Sequence, residues 1–296
     1  MSPPASGPRT PLCSVVIATW NTRDLVADAL ASLTRHSTPE TTEIIVVDNG
    51  SSDGTCDLIR AQFPEVILKC EEKNTGYAPA NNRGMRAAHG RYVLLLGSDT
   101  VVRANTIPVM SGFLDAHADV SAVACRLVNP DGSPQMSCRR FPRLRDAVAT
   151  YLSLHILAPR YTMKGFDFHA TQEVEQPAAT CLMLRREVLG RLGGFDEAYT
   201  ILYNDVDLCR RLKNDGGRIF YLGETEVVHL GSRTTRTAPP EVRLEMYRNI
   251  LRYFRQYHGQ AARWVLTPIL TVRLLAATRS ALAFRLVSPD SEGWSA

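Results

Sequence analysis

Residues 43–55 have the sequence EIIVVDNGSSDGT, a short apolar run that ends in an acid and continues into a polar turn containing glycines. Consecutive apolar residues bounded by such a turn predict a buried strand, and residues 55–62 are typical of the helix that follows it. Asp48 then lies at the carboxyl end of the strand, where a buried carboxylate needs a partner. The stretch predicts one strand–turn–helix unit of an α/β fold.

Similar units flank this stretch on both sides. Further strands are predicted at residues 14–18, 66–68, 92–96, 120–128 and 181–184, and further helices at residues 24–34 and 78–89. This alternation predicts an α/β fold with a mostly parallel central sheet flanked by helices. Parallel strands would bring the polar clusters after the first four strands to one rim, where such sheets bind ligands. The clusters are residues 19–21, 48–51, 74–77 and 97–100.

The composition excludes several classes of protein. A chain of 296 residues with 45% hydrophobic and 22% charged residues can bury a full core, which excludes intrinsic disorder. A net charge of +4 is too small and too dispersed for a dedicated nucleic-acid binder, so no nucleic-acid partner is expected. Seven cysteines without a CxxC pair predict reduced thiols. No signal-peptide pattern and no apolar run of about 20 residues is found, which predicts a cytoplasmic chain.

The polar clusters allow both a chemical and a structural interpretation. Asp99 follows an apolar strand beside two hydroxyl groups, and hard oxygen ligands of this kind suit Mg²⁺ or Mn²⁺ bound to a diphosphate. An Asp in this place also serves as an ordinary turn residue, just as Asp53 serves as a helix cap. The chain has no GxGxxG fingerprint, which disfavours a nicotinamide-dependent oxidoreductase.

Six segments of the chain resemble the family 2 glycosyltransferases, inverting enzymes of GT-A fold, and are most similar to their bacterial rhamnosyltransferase-like branch. The segments occur in the family's order over about residues 11–257. They are SVVIATWN at 14–21, EIIVVDNGSSDGT at 43–55, NTGYAPANN at 74–82, LLLGSDT at 94–100, GGFDE at 193–197 and YNDVDLCRR at 203–211. Several motifs in one order are far more specific than any one alone.

The resemblance implies a role for individual residues. Nucleotide binding is implied for Thr19, Trp20, Asn21, Asp48, Asn74, Gly76, Asn82 and Ser98. Asp99 and His229 match the metal site, and Asp205 matches the catalytic base. Two positions depart from the family pattern, since Gly97 replaces an acid or Asn and Asn204 replaces the Glu before the base. Loss of that neighbouring acid predicts a lower pKa for Asp205 than in a Glu–Asp site.

The implied organisation has three parts. Residues 1–11 form a flexible N-terminus, and residues 12–238 form the catalytic domain, with a nucleotide-sugar half (12–130) and an acceptor half (131–238). Residues 239–296 form C-terminal helices. Within them, Arg263, Thr267 and Thr271 share one stripe of a helix, opposite Val265 and Val272. Such a helix fits either a cationic amphipathic helix on a membrane or a terminal helix packed on the domain.

The sequence therefore predicts a glycosyltransferase that depends on Mg²⁺ or Mn²⁺. Its partners would be a nucleotide-diphospho-sugar donor, with dTDP-rhamnose favoured and UDP-sugars as competitors, and a glycan or polyprenyl-linked acceptor in cell-wall or polysaccharide biosynthesis. The C-terminal helix would place it in the cytoplasm, peripheral to the inner face of the membrane. The altered Gly97 and Asn204 leave a non-catalytic nucleotide-sugar-binding protein or regulator as the alternative.

Overall fold

Runs of Val, Ile and Leu form the strands of the sheet, because these side chains pack well on a pleated, buried surface. The structure is a computed structural model that describes residues 10–38, 41–154, 158–231 and 239–278. The strands are β1 (Cys13–Thr19), β2 (Thr42–Asp48), β3 (Ile67–Cys70), β4 (Tyr92–Leu96), β5 (Thr100–Val102), β6 (Val120–Val128), β7 (Pro134–Gln135), β8 (Cys138–Arg139), β9 (Gln172–Glu173), β10 (Gln176–Pro177), β11 (Cys181–Arg185) and β12 (Arg218–His229).

Helices connect most of the strands and close the chain at its C-terminal side. They are α1 (Arg23–His36), α2 (Thr55–Gln62), α3 (Tyr77–Arg86), α4 (Thr106–Ala116), α5 (Leu144–Tyr151), α6 (Arg186–Leu192), α7 (Asn204–Asn214), α8 (Pro240–His258) and α9 (Gln260–Thr278). The strands and helices predicted from the apolar runs are confirmed, with ends that differ by a few residues.

The main sheet has the strand order β3-β2-β1-β4-β11-β6-β12-β5. β1, β2, β3 and β4 are mutually parallel, and their carboxyl ends therefore share one rim. β11 runs antiparallel between β4 and β6, which makes the sheet mixed, and β12 is parallel to β6. At the far edge β12 pairs antiparallel with β5, which sets His229 opposite Thr100.

The strands alternate their side chains between two apolar cores, one on each face of the sheet. On β1, Val16 belongs to one core, whereas Val15 and Ile17 belong to the other. The Val16 side is covered by α3, α7, α8 and α9, and the opposite side by α1, α2 and α4. The sheet is thus held rigidly between two helical layers, which fixes the geometry of its rim.

Helix α9 carries apolar side chains on two faces. Leu266, Leu270 and Leu274 are buried at four-residue spacing, and they pack in the same core as α8. Trp264 and Val272 lie on the opposite side and are 69% and 65% exposed. The helix continues through Pro268 without a restart. The rest of the predicted tail, from residue 279 onwards, lies outside the described residues, as do residues 1–9.

The prediction of seven reduced thiols is wrong for one pair. Cys56, in the first turn of α2, forms a disulfide with Cys70 at the end of β3. The β2–α2–β3 crossover brings the two residues together across 14 positions, a separation that carries no recognisable spacing signal. Among the described residues the other five cysteines are free and buried.

No helix within the described ranges combines the length and the hydrophobicity needed to span a membrane.

Candidate functional site

Three of the predicted polar clusters meet at the rim formed by the carboxyl ends of β1, β2 and β4. Thr19 and Asp48 lie opposite each other in the parallel register of β1 and β2. The Thr19 hydroxyl lies 2.6 Å from that of Thr22, which donates to the Ser98 hydroxyl after β4 at 3.1 Å. A chain of hydroxyl groups thus links the ends of β1 and β4 beside the carboxylate that ends β2.

Asp48 has one carboxylate oxygen without a partner. Its Oδ1 accepts from the backbone N–H of Ser51 at 2.8 Å, whereas Oδ2 is buried and makes no hydrogen bond. The residue is only 1% exposed. A buried acceptor without a donor costs about 1–3 kcal/mol, more when it is charged, and a ligand N–H would remove that cost. The arrangement is suited to an N–H group of a nucleobase.

The third cluster is held to β2 by an amide network. Asn49 donates to the Asn74 side chain at 2.8 Å and to the Gly76 carbonyl at 3.1 Å, and its own oxygen accepts from the Thr75 N–H at 3.0 Å. Gly76 has φ of 98° and closely approaches Thr200. Asn74 and Gly76 therefore shape the wall of the cleft, and Asn49, which the sequence interpretation did not single out, is the residue that positions them.

Trp20 and Asn21 lie at the open side of this rim. Trp20 is 44% exposed, although most large apolar side chains of the chain are buried. Asn21 adopts φ of 51°, and its side chain accepts from the Ser52 N–H at 2.8 Å, which ties the turn after β1 to the turn after β2. Trp20 is thus presented on a braced turn with its ring accessible for stacking on a planar ligand.

Asp99 and His229 meet at the edge of the sheet. His229 Nε2 lies 3.3 Å from Asp99 Oδ2, and both side chains are partly exposed. The β5–β12 pairing and a hydrogen bond from Leu230 N–H to the Asp99 carbonyl at 2.9 Å fix the two backbones. A Cβ on Gly97 would lie 2.9 Å from Asp99 Oδ1, so the absent side chain leaves space for this carboxylate.

The donor set of Asp99 and His229 fits a divalent cation that shares its ligands with a phosphate. Carboxylate and imidazole ligands suit Mn²⁺, and Mg²⁺ accepts one or two carboxylates together with phosphate oxygens. No cluster of three or more acidic, His or Cys ligands occurs in the described part of the chain. A cation held by these two residues would take further ligands from a bound diphosphate and water.

Asp205 begins α7 on the far side of the cleft. Its N–H donates to Asn204 Oδ1 at 2.7 Å, and its Oδ1 accepts from the Val206 N–H at 2.8 Å. Burial raises the pKa of Asp205, although hydrogen bonds from backbone N–H groups, including that of Ala179, partly oppose the rise. A half-buried carboxylate with a raised pKa is a stronger proton acceptor than an exposed one. Asn204, which stands where the family pattern has an acid, binds the backbone of Asp205 through this hydrogen bond.

Tyr77 connects the two acidic parts of the cleft. Burial raises its pKa, and the charges of Asp205 and Asp99 raise it further, in that order. Its ring packs against Phe195 with centroids 5.9 Å apart. Because the charges of both carboxylates reach the same phenol, Asp99 and Asp205 both lie near Tyr77. Tyr77 belongs to the predicted cluster at residues 74–77, but the sequence interpretation assigned it no role of its own.

Three further tyrosines lie on the Asp205 side of the cleft. Burial raises the pKa of Tyr161, with Arg139 opposing and Asp205 adding to the rise. Tyr203 precedes α7 with φ of 67°, and it interacts with both Tyr151 and Tyr161. Tyr151 and Tyr203 pack against the apolar core on this side, and Tyr161 is largely buried beside them, so the three rings support this part of the site.

Asn82 is separate from the predicted donor residues. Its Oδ1 accepts from the Phe195 N–H at 2.9 Å, and its Nδ2 donates to the Phe195 carbonyl and to Glu197, also at 2.9 Å. A Cβ on Gly194 would meet this amide at 2.5 Å. Both ends of the amide are therefore used within the protein, where Asn82 positions the turn after α6.

Comparison with known proteins gives a family and a fold. The sequence model described as Glycosyl transferase family 2 matches residues 14–193. A curated relative from Mycobacterium tuberculosis strain H37Rv, N-acetylglucosaminyl-diphospho-decaprenol L-rhamnosyltransferase, is 28% identical, covering 92% of this chain and 95% of its own. The putative teichuronic acid biosynthesis glycosyltransferase TuaG of Bacillus subtilis is 32% identical over 42% of this chain and 50% of its own.

Solved structures show that the predicted GT-A fold is correct. A mannosyltransferase from Pyrobaculum calidifontis, in complex with GDP-Man and Mn²⁺, has a TM-score of 0.57 at 22% identity, covering 97% of this chain and 82% of that one. Residues 1–349 of TarS from S. aureus, in complex with UDP-GlcNAc, have a TM-score of 0.55 at 20% identity. The match covers 93% of this chain and 75% of that one.

Proposed function

The chain belongs to glycosyl transferase family 2, and from that premise we propose that it is a metal-dependent inverting glycosyltransferase. The observation that carries the proposal is that the carboxylates of Asp99 and Asp205 both lie near the Tyr77 phenol. The backbone links the two sites as well, because the Gly97 N–H donates to the Thr180 carbonyl at 2.9 Å and the Ala179 N–H binds the Asp205 carboxyl. One carboxylate has an imidazole beside it, and the other lies at a helix start. Glycosyl transfer needs both groups, because one must lie at the leaving group and the other must accept the proton of the acceptor hydroxyl.

The donor is a nucleotide-diphospho-sugar, with dTDP-rhamnose favoured over UDP-sugars. The preference for rhamnose rests on the mycobacterial rhamnosyltransferase, which aligns with most of the chain. Binding would use the exposed Trp20 ring for stacking and the unpaired Asp48 Oδ2 for an N–H of the base. Both thymine and uracil carry an imide N–H, so Asp48 suits either nucleotide.

Asp99 and His229 would hold Mg²⁺ or Mn²⁺ together with the donor diphosphate. Such a cation, when bound, offsets the charge that develops on the departing diphosphate. Asp205 Oδ2 then accepts the proton of the acceptor hydroxyl as that oxygen attacks the anomeric carbon from the face opposite the leaving group. The Val206 N–H holds Oδ1 in place during the transfer. A single displacement inverts the configuration.

The acceptor is a hydroxyl group of a glycan or of a polyprenyl-linked sugar. Tyr151, Tyr161 and Tyr203 are packed on the Asp205 side and support the part of the molecule where the acceptor would bind. Arg273 of α9 donates to the Tyr151 carbonyl at 2.8 Å and to the Ser153 hydroxyl at 3.0 Å. The acceptor side is therefore attached to the helix that exposes Trp264 and Val272, which favours a lipid-linked acceptor and a peripheral position on a membrane.

The experiment that tests the proposal is a transfer assay with dTDP-rhamnose and UDP-sugars, with and without Mn²⁺, on wild-type protein and Asp205→Asn. Asn keeps the acceptor for Val206 N–H but accepts a proton poorly, so turnover should fall by about 10²–10⁴-fold with nucleotide affinity retained. Asp215→Asn is the matched control, because Asp215 lies at the opposite end of α7 in an exposed ion pair with Arg191.

The same assay separates the enzyme from a non-catalytic nucleotide-sugar-binding protein. A binding protein would show manganese-dependent affinity for a nucleoside diphosphate but no transfer to any acceptor. Transfer that Asp205→Asn leaves unchanged would reject Asp205 as the base while leaving the transferase activity established.

A further inference from the structure

Gln135 bridges two elements that lie far apart in the sequence. It is the last residue of β7, which pairs with β6 and places Gln135 opposite Leu127. From there its side chain reaches the end of β12, where Oε1 lies 2.6 Å from His229 Nδ1 and Nε2 donates to the His229 carbonyl at 2.8 Å. One side chain thus binds both the ring and the backbone of His229.

The orientation of the Gln135 amide follows from its other partners. Its Nε2 lies between two oxygen acceptors, the His229 carbonyl and Asn129 Oδ1, the latter at 2.7 Å. Since an amide nitrogen only donates, this group must be the NH₂ and the atom facing the ring must be the oxygen. The oxygen accepts, so His229 carries a hydrogen on Nδ1.

This tautomer has a consequence at the other ring nitrogen. In the neutral imidazole, a hydrogen on Nδ1 leaves Nε2 with a free lone pair. That lone pair lies 3.3 Å from Asp99 Oδ2, which is also an acceptor. Two acceptors directed at the same space are stabilised by a cation between them, which can be a proton or a metal ion.

We propose that Gln135 is a positioning residue that holds His229 in the Nδ1–H tautomer, so that Nε2 is available beside Asp99 as a ligand for a divalent cation. The inference rests on the metal site of the proposed function and adds the residue that orients its imidazole. Hydrogen bonds of this kind to metal-bound His typically change metal affinity by about 10–100-fold.

The tautomer can be measured without metal or substrate. The full chain is labelled with ¹⁵N-histidine, and His229 is assigned by the signal missing from His229→Asn. At a pH of about 8, above the ordinary His pKa, the protonated and unprotonated ring nitrogens have distinct shifts. Wild-type protein should show Nδ1–H for His229, and Gln135→Met should show a mixture of tautomers. A wild-type Nε2–H tautomer would overturn the proposal.

The second measurement is Mn²⁺ affinity by calorimetry in the presence of dTDP or UDP. Gln135→Met should weaken it by about 10-fold or more, and Gln135→Glu, which keeps the acceptor, should recover part of the loss. Ser133→Ala is the matched control, because Ser133 braces the same β6–β7 turn through Asn129 without contacting His229. Its Mn²⁺ affinity should stay within about twofold of wild type.

The outcomes separate this inference from the proposed function. Wild-type protein that binds no Mn²⁺ with either diphosphate would reject the metal site and, with it, the role of Gln135. Wild-type binding that Gln135→Met leaves unchanged would reject the role of Gln135 alone. An equal loss in Ser133→Ala would assign the effect to the turn and also reject it.

Discussion

Asp205 shows how one carboxylate can be kept both reactive and oriented. Burial raises its pKa, while backbone N–H groups at the start of α7 hold its Oδ1. The sequence comparison predicted a lower pKa than in a Glu–Asp site, and that relative prediction is still untested. In the structure, burial raises the pKa of Asp205 above the ordinary Asp value, and the neighbouring Asn204 is uncharged.

The raised pKa predicts an acid limb in the activity profile. Asp205 must be ionised to accept a proton, so kcat/KM should fall as pH drops through its pKa, at a pH above the ordinary Asp value of about 3.9. Rates measured from about pH 4 to 9 would show this limb, and the residual activity of Asp205→Asn should lack it. A limb at or below the ordinary value would contradict the assignment.

The same shift fixes the sign of the effect on stability. A carboxyl whose folded-state pKa is raised loses folding free energy as pH increases from its unfolded pKa through its folded pKa. Asp205→Asn removes this cost and should be at least as stable as wild type at neutral pH, with the difference vanishing in acid. Thermal unfolding of both proteins at neutral and acid pH checks this, and equal or higher stability of the variant would separate its loss of activity from unfolding.

Substitution of Gly97 should weaken Mn²⁺-dependent nucleotide binding without a large change in stability. An added Cβ would lie 2.9 Å from Asp99 Oδ1, the movable end of a side chain, and 3.4 Å from Thr180. Gly97→Ala should change the free energy of unfolding by less than about 1 kcal/mol, yet it should displace the carboxylate and weaken Mn²⁺-dependent nucleotide binding by about 10-fold.

The matched control for Gly97→Ala is Gly112→Ala in α4. A Cβ at Gly112 meets no atom within 4 Å, and Ala is the better helix former by about 1 kcal/mol. Calorimetry with dTDP and UDP, with and without Mn²⁺, and thermal unfolding would compare both variants with wild type. Unchanged Mn²⁺ dependence in Gly97→Ala would show that Asp99 does not need the space.

At the scale of elements, continuous apolar runs predicted strands correctly, whereas the shortest strands have no such run and were not predicted. The apolar runs at residues 92–96 and 120–128 became β4 and β6 with the same bounds, because fully buried strands need continuous apolar side chains. The two-residue strands β8 and β10, which pair with each other, carry no such pattern. Their pairing depends on distant contacts.

Helix α9 illustrates a limit of periodicity. The stripe of Arg263, Thr267 and Thr271 was expected to face away from Val265 and Val272, with the apolar side either on the domain or on a membrane. Thr271 is instead buried, and Val272 is exposed. The helix packs through Leu266 and Leu270, since α8 offers an apolar surface that a single-helix projection cannot include.

At the scale of the whole molecule, residues at strand ends were predictable and residues from the connections were not. Asp48, Asp99 and Thr19 follow directly from parallel strands that share a rim. Tyr77 was already part of the predicted cluster at residues 74–77, whereas the contact of Gln135 with His229 and the position of Tyr161 near Asp205 depend on tertiary packing. Asn82, by contrast, was assigned to nucleotide binding from the motif alone. Both ends of its amide bind Phe195 in the turn after α6.

The exposed apolar side of α9 is suited to contact with a membrane. Trp264, Val265 and Val272 lie on it, and Leu152 and Leu154 at the end of α5 are also exposed. Arg273 joins the two helices through the Tyr151 carbonyl. Residues 240–278 contain six arginines and two glutamates, a balance that favours an anionic surface. A protein docked by this side would hold Tyr151, the last residue of α5, near the lipid.

This orientation predicts that Trp264→Ser combined with Val272→Ser releases the protein from vesicles. Each buried apolar side chain contributes about 1.5–3 kcal/mol, so flotation with phosphatidylcholine–phosphatidylglycerol vesicles should show at least about a 10-fold loss of binding. Transfer to a short, water-soluble acceptor should be unchanged, because neither residue lines the cleft. Ile67→Ser, at a 41% exposed position on β3, is the control and should bind as wild type does. Equal binding by the double variant and wild type would mean that this face of α9 does not contact the membrane.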